Sequence, residues 1–155
     1  MAALPQADVP SMAAKPHENA CDHDRERSTE DIAMITIYYC LHRKSGLSFE
    51  EFSAYWSGPH AELVRSLADR LGIVRYVQNH GLLPEVAAQM QKMRGTADPF
   101  DGVAAISFAS SEDLSRGNTS PAVADAQGLL AADEARFIDI ARSVILFTSA
   151  HEVIA

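Results

Sequence analysis

The chain has 155 residues, 47% of them hydrophobic and 22% charged, with a formal charge of −8 and a pI of about 5.1. That length suits one domain with its own core, and an acidic balance without a Lys/Arg cluster argues against nucleic acid or an anionic membrane as partner. No apolar run approaches the roughly 18 residues of a membrane span, the first residues lack the basic-then-apolar order of a secretory signal, and Cys21 and Cys40 offer no disulfide framework, which fits a reducing cytoplasm.

Residues 1–32 stand apart, with scattered prolines and the charged run CDHDRERSTED but no periodicity. They read as a disordered or loosely docked tail ahead of a domain at residues 33–155. His17, Cys21 and His23 match no closed zinc spacing, so no metal is expected there.

From Ala33 to His42 the sequence AMITIYYCLH is rich in β-branched and aromatic residues, as in a strand. Ile35, Ile37, Tyr39 and Leu41 share one face; Thr36, Tyr38, Cys40 and His42 share the other. Ser48 and Glu51 then form a capping box, with Leu47 and Phe52 as its hydrophobic staple. Phe52, Trp56, His60 and Val64 recur along the helix that follows, with Leu63 and Leu67 beside them on one face. An imidazole in such a stripe needs a partner or a ligand, because an unpaired buried polar group is costly. Gly58-Pro59 predicts a kink or restart of the helix. Pro59 would then occupy a first helical position with His60 next to it, where the helix dipole favours a neutral imidazole able to accept a proton. The helix is expected to fade near Gly72.

Gly72 to Leu82 reads as a second strand, with Val74, Tyr76, Gln78 and His80 alternating with Ile73, Arg75, Val77 and Asn79. Polar groups on both faces are unusual for a strand that only fills a core. A short helix at Pro84 to Lys92, a third strand at Asp101 to Ala109, a helix from about Pro121 to Ala132 and a fourth strand at Arg142 to Ala150 complete the chain. The order β-α-β-β-α-β predicts a ferredoxin-like α+β fold, an antiparallel sheet with both helices on one face. The bare face would be apolar, and sheet-to-sheet packing into a homodimer would bury it.

TIYYCLHRKSGLSFEEFSAYWSGPHAELV resembles the opening of EthD-domain proteins, whose motif F-x-x-Y-W-x-x-x-H-A-x-L is represented by Phe52, Tyr55, Trp56, His60, Ala61 and Leu63. Arg75 to His80, Phe100 to Phe108 and Asp133 to Ser143 resemble the family's second strand, third strand and closing segment. The resemblance covers about residues 33–153. It implies a dimeric α+β barrel with a cavity between sheet and helices in each subunit, and chemistry without a cofactor on small aromatic or polyketide-like molecules. Ala105 and Ser107 depart from the pattern, standing where relatives often carry Glu and then a large aromatic.

His60 is the first candidate for catalysis, as general base or substrate partner; the structural alternative is a histidine that pins the helix break. His80 and Tyr76 share a strand face about 7 Å apart, close enough to hold one enol or phenol, or else simply a pair at the strand's wet end. The resemblance favours Tyr39 over Tyr38 as the inward tyrosine of the first strand. Asp101 either orients His80 or His60 or is a turn residue before Gly102. Trp56, Phe52, Tyr38, Asn79, Ala105 and Ser107 are candidate substrate contacts, subject to which strand faces turn inward. No G-x-G-x-x-G, P-loop, G-x-S-x-G or H-E-x-x-H is present. The expected function is a cofactor-independent lyase or isomerase. A binding protein without chemistry is the main alternative, and a cofactor-free monooxygenase a further one.

Overall fold

The computed structural model describes residues 34–116 and 120–154, so the predicted tail at residues 1–32 lies outside the described residues. Strands β1 (Ile35–Leu41), β2 (Ile73–His80), β3 (Gly102–Phe108) and β4 (Val144–Thr148) form one antiparallel sheet in the order β2-β3-β1-β4. Helix α1 (Phe49–Tyr55) runs through a π-helical turn (Trp56–His60) into α2 (Ala61–Leu71), and α5 (Pro121–Phe137) packs beside α2. Two lesser helices, α3 (Pro84–Arg94) and α4 (Ser111–Ser115), fill the connections. This is the predicted ferredoxin-like α+β arrangement.

The strand register decides which side chains face the helices. Tyr39 pairs with Ala104, Ile37 with Ile106, and Tyr76 with Ile106. These residues share the helix-bearing face, where Tyr39, Leu41 and Ala104 pack with Phe52, Trp56, Phe137 and Ile138 in one core cluster. A second cluster joins Leu67 and Leu71 to Val123 and Ala126. Tyr38 pairs with Ala105 and Thr36 with Ser107, so these four point to the opposite face.

Local signals in the sequence are realised closely at the start of the helical layer. Ser48 Oγ accepts from the Glu51 amide at 3.1 Å, and Glu51 Oε2 accepts from the Ser48 amide at 2.7 Å. Gly72 ends α2 with φ +71, a left-handed conformation that costs glycine little. The Gly58-Pro59 break, however, is not a restart. Pro59 lies inside the π turn, and the helix continues across it. Widening one turn accommodates a residue that lacks an amide hydrogen and would crowd a regular helix. His60 is therefore not at a helix N-terminus, and the dipole argument for its neutrality lapses.

Gly102 lies beneath Trp56. A Cβ added there would overlap the indole, 2.9 Å from Trp56 Cη2 and 3.0 Å from the Asn79 carbonyl oxygen. Gly102→Ala is expected to lower stability by about 1–3 kcal/mol through overpacking. The urea midpoint, followed by the fluorescence of the chain's one tryptophan, measures this; an unchanged midpoint would show that the indole moves aside freely.

Candidate active site

The π turn and α5 together build the polar centre of the helical layer. His60 is 4% exposed, and its Nδ1 lies 2.8 Å from Asp133 Oδ2. Tyr55, one turn back, donates its hydroxyl to Asp133 Oδ1 at 2.6 Å, and Arg136 reaches the Tyr55 oxygen at 3.3 Å. Burial raises the Asp133 carboxyl, but the hydrogen bonds from Tyr55 and His60 and the charges of His60 and Arg136 outweigh it and hold the group below its usual range. An ionised Asp133 can only accept, so Nδ1 of His60 carries the proton. In the neutral ring the lone pair is then on Nε2, a tautomer assigned from the network.

A small chamber of about 30 Å³ lies between this centre and the sheet, lined by His60, Tyr39, Tyr76 and Glu134 among aliphatic walls that include Val64, Ile106 and Leu130. By volume it suits one or two water molecules. Burial lifts the Glu134 carboxyl to about 7, and the neighbouring Asp133 charge adds to the shift. Burial likewise lifts the Tyr39 hydroxyl to about 12, with Glu134 contributing. Burial raises Tyr76 too, although hydrogen bonds from Gln78 and Trp56 oppose it. Trp56 Nε1 donates to the Tyr76 oxygen at 3.0 Å, which leaves the Tyr76 proton available to a further acceptor. Neither the Glu134 carboxyl nor the Tyr39 hydroxyl has a hydrogen-bond partner among the described residues. Two proton donors, an oriented imidazole and a carboxyl that titrates near neutrality thus line one small pocket.

Of the candidates from sequence, the structure brings His60, Tyr39 and Tyr76 together. His80 shares the strand face of Tyr76 but does not line the chamber. Its Nδ1 lies 2.7 Å from Ser53 Oγ and its Nε2 3.2 Å from Gln78 Oε1, and its ring packs 4.4 Å from that of Trp56. Burial lowers its pKa. Asp101 orients neither His60 nor His80. It accepts from the Arg43 amide at 2.8 Å and pairs with the Arg43 guanidinium, because the register Leu41–Gly102 places it beside the exit of β1. Phe52 and Trp56 are core, at 0% and 1% exposure, and Trp56 reaches the chamber only through Tyr76. Tyr38, Asn79, Ala105 and Ser107 lie on the far side of the sheet. There Ser107 Oγ meets Thr36 Oγ1 at 3.0 Å, and Asn79 donates to the Val103 carbonyl.

Sequence reasoning missed Asp133 and Glu134, because the predicted helix stopped near Ala132 whereas α5 runs to Phe137. A signal was present: Val123, Ala126 and Leu130 recur at helical spacing, and the next steps land on Asp133, Glu134 and Phe137. Acidic side chains on an extended apolar stripe mark a polar site within the core.

A ferredoxin-like sheet carrying two packed helices over a small pocket lined by titratable side chains defines the class as a small α+β protein with an internal polar site. The family model "EthD domain" matches residues 44–141, more than half of the chain, and the chain belongs to that family. Among solved structures it is similar to an EthD-like protein from Ralstonia eutropha JMP134, at 19% identity and TM-score 0.50 over 75% of this chain and 90% of that one. It is similar to an EthD family protein from Bacillus halodurans C-125, at 12% identity and TM-score 0.51 over 76% and 99% of the two chains. It is also similar to a hydroxynitrile lyase from Passiflora edulis, at 16% identity and TM-score 0.52 over 79% and 97%. At such identities the likeness is one of fold. No curated protein matches the sequence. No helix among the described residues is long and apolar enough to cross a membrane.

Proposed function

We propose that the chamber performs cofactor-independent proton transfer of the lyase or isomerase type on a small aromatic or polyketide-like substrate. The observation that carries this reading is the Glu134 carboxyl, titrating at about 7 and facing the same chamber as an imidazole fixed by Asp133. His60 Nε2 removes a substrate proton, and the Asp133 carboxylate stabilises the imidazolium that results. The hydroxyls of Tyr76 and Tyr39 donate to the developing enolate or phenolate oxygen. Glu134, about half protonated near neutrality, returns a proton to the product carbon or to a leaving group. One proton leaves the substrate and one arrives, and exchange between His60 and Glu134 resets the pair. The apolar pocket of about 180 Å³ that shares Ile73, Ile106 and Leu130 with the chamber would take the body of the substrate. The Passiflora edulis hydroxynitrile lyase supports a lyase in this scaffold by fold analogy alone.

The acting unit in this proposal is the domain of residues 33–155 as a homodimer. Tyr38 and Leu146, on the face away from the helices, are 39% and 48% exposed, and a second copy would cover them.

The test is a panel of small phenolic, aromatic and β-keto compounds incubated with purified wild type, His60→Gln and Glu134→Gln, with products read by mass spectrometry. Wild type is expected to form product, and both variants, folded by circular dichroism, to lose turnover. Full turnover in both would sink the assignment. A binding protein without turnover is the second reading, favoured by the chamber's small volume, and it predicts a retained ligand with no product.

A further inference from the structure

A second cluster of reactive groups lies outside the chamber, where α1 meets the edge strand β2. Ser53 Oγ and His80 Nδ1 are 2.7 Å apart, and His80 Nε2 lies 3.2 Å from Gln78 Oε1. The proton positions follow from the far end of this row. Gln78 Nε2 donates to the Trp56 carbonyl at 2.8 Å, which turns Oε1 toward the imidazole. An amide oxygen only accepts, so Nε2 of His80 carries the ring proton and Nδ1 presents its lone pair to the Ser53 hydroxyl. Burial lowers the His80 pKa, which keeps the ring neutral and able to accept. Gln78 and the indole of Trp56, 4.4 Å away between ring centres, fix the orientation of the imidazole. Ser53 and His80 both remain partly exposed.

A hydroxyl bonded to a base that a third group orients is the arrangement that activates a nucleophile. Beside it runs a largely apolar groove of about 330 Å³, with Phe49, Gly81, Leu82, Pro84 and Phe100 among its walls. Phe49 lies one turn before Ser53 on α1, and Gly81 directly follows His80. We propose that Ser53 is a nucleophile that takes the acyl group of an activated ester, with His80 as its base, Gln78 as a positioning residue and this groove as the seat of an apolar acyl chain. Ser53 Oγ attacks the carbonyl carbon while its proton passes to Nδ1. The bond from that carbon to the leaving oxygen then breaks, and the leaving group departs with the proton. Water attacks the acyl-serine in the same way, releasing the acid and restoring the hydroxyl. Ser53 lies past the first turn of α1, where backbone amides are spent on helical hydrogen bonds. Attack therefore draws on the imidazole, and the ester must supply a good leaving group. The site is independent of the chamber, which neither Ser53 nor His80 lines.

The test incubates the full chain with p-nitrophenyl butyrate and follows p-nitrophenol release together with intact-mass and peptide-mapping mass spectrometry. The expected result is a butyryl group on Ser53, or steady release of p-nitrophenol, that Ser53→Ala abolishes. His80→Phe keeps a ring against Trp56 and is expected to slow acylation by about a hundredfold, the lower end of what a positioned base contributes. Gln78→Leu should slow it as well, and Gln78→Glu, which still accepts from Nε2, should restore it. Circular dichroism checks that each variant is folded. Butyryl groups on lysine alone, no reaction beyond that of the reagent in buffer, or acylation of Ser53 at the wild-type rate in His80→Phe would each overturn the proposal. Chamber turnover plays no part in this readout, so failure of one site leaves the other to stand or fall by its own experiment.

Discussion

Asp133→Ala is expected to lower the stability of the fold by about 3 kcal/mol, the lower end of the range for two donors that each lose a hydrogen bond to a charged acceptor. The carboxylate accepts from two donors, the imidazole at 2.8 Å and the Tyr55 hydroxyl at 2.6 Å. With alanine in its place, the nearly buried imidazole and the Tyr55 hydroxyl both lose an acceptor. The Asp133 side chain retains 13% exposure, so water reaches part of the gap and the upper end of the range does not apply. Asp133→Asn separates stability from chemistry. Its oxygen can still accept from Tyr55 while its amide donates to Nδ1 of His60, and stability stays close to wild type. The proton of the neutral ring is then forced onto Nε2, and the acceptor facing the chamber is lost. Nitrogen-15 shifts of the imidazole should report the exchange of tautomers, with Nδ1 protonated in wild type and Nε2 protonated in the variant. A wild-type urea midpoint for the alanine variant would show that the pair contributes nothing to the fold.

Glu134→Gln is expected to stabilise the protein above neutral pH by about 3 kcal/mol, from 1.36 kcal/mol per pKa unit, as the folded carboxyl titrates at about 7 against an ordinary value of 4.5. Below pH 4.5 both folded and unfolded chains hold the proton, and the group does not distinguish them. Between 4.5 and about 7 the unfolded chain ionises while the folded protein keeps its proton. The folded state then binds more protons, so stability falls as pH rises through this window, and the loss is complete above it. Glutamine carries no charge to bury, and the loss disappears. Urea midpoints of variant and wild type measured between about pH 5 and pH 8 should therefore diverge steadily. A pH-independent difference would show that Glu134 is not held near neutrality. Asp133 tilts stability the other way: its depressed pKa makes its contribution one that is lost as pH falls. Two adjacent carboxyls thus narrow the stable range from both sides.

The chain's local chemistry explains why part of this site could be read before any coordinates. The capping box at Ser48 and the recurrence of Phe52, Trp56, His60 and Val64 depend on neighbours within a few residues, and the structure keeps all of them on one buried face. Strand alternation likewise placed Tyr76 and His80 together, but their shared face did not give them a shared function. His80 pairs across to Gly102, where the indole of Trp56 lies over the backbone, and the imidazole packs under that ring instead of entering the chamber. Asp101 orients neither histidine for a related reason. Its partner is set by the antiparallel register with β1, which brings Arg43 within reach although it is 58 residues away in sequence.

Asp133 and Glu134 were hidden by a conflict between local and global preference. Acidic residues near the C-terminal end of a helix oppose its dipole, so a helix ending before them is the locally favoured reading. Packing of Phe137 against Phe52 and Tyr55, at ring distances of 5.7 and 5.2 Å, carries α5 past that point. The extra turn turns both carboxyls inward, one onto His60 and one into the chamber.

By itself the sequence determined the order of elements, the fold class they imply and an imidazole committed to an apolar helix face, because periodicity and capping act between residues close together in the chain. Only the tertiary structure decided which face of each strand turns inward, that a π turn carries His60 across Pro59, and that Asp133 bonds that imidazole while Glu134 lines the same chamber. These outcomes depend on register and helix packing between distant segments, where burial outweighs local propensity and reassigns the charges that a short stretch of sequence would leave in water.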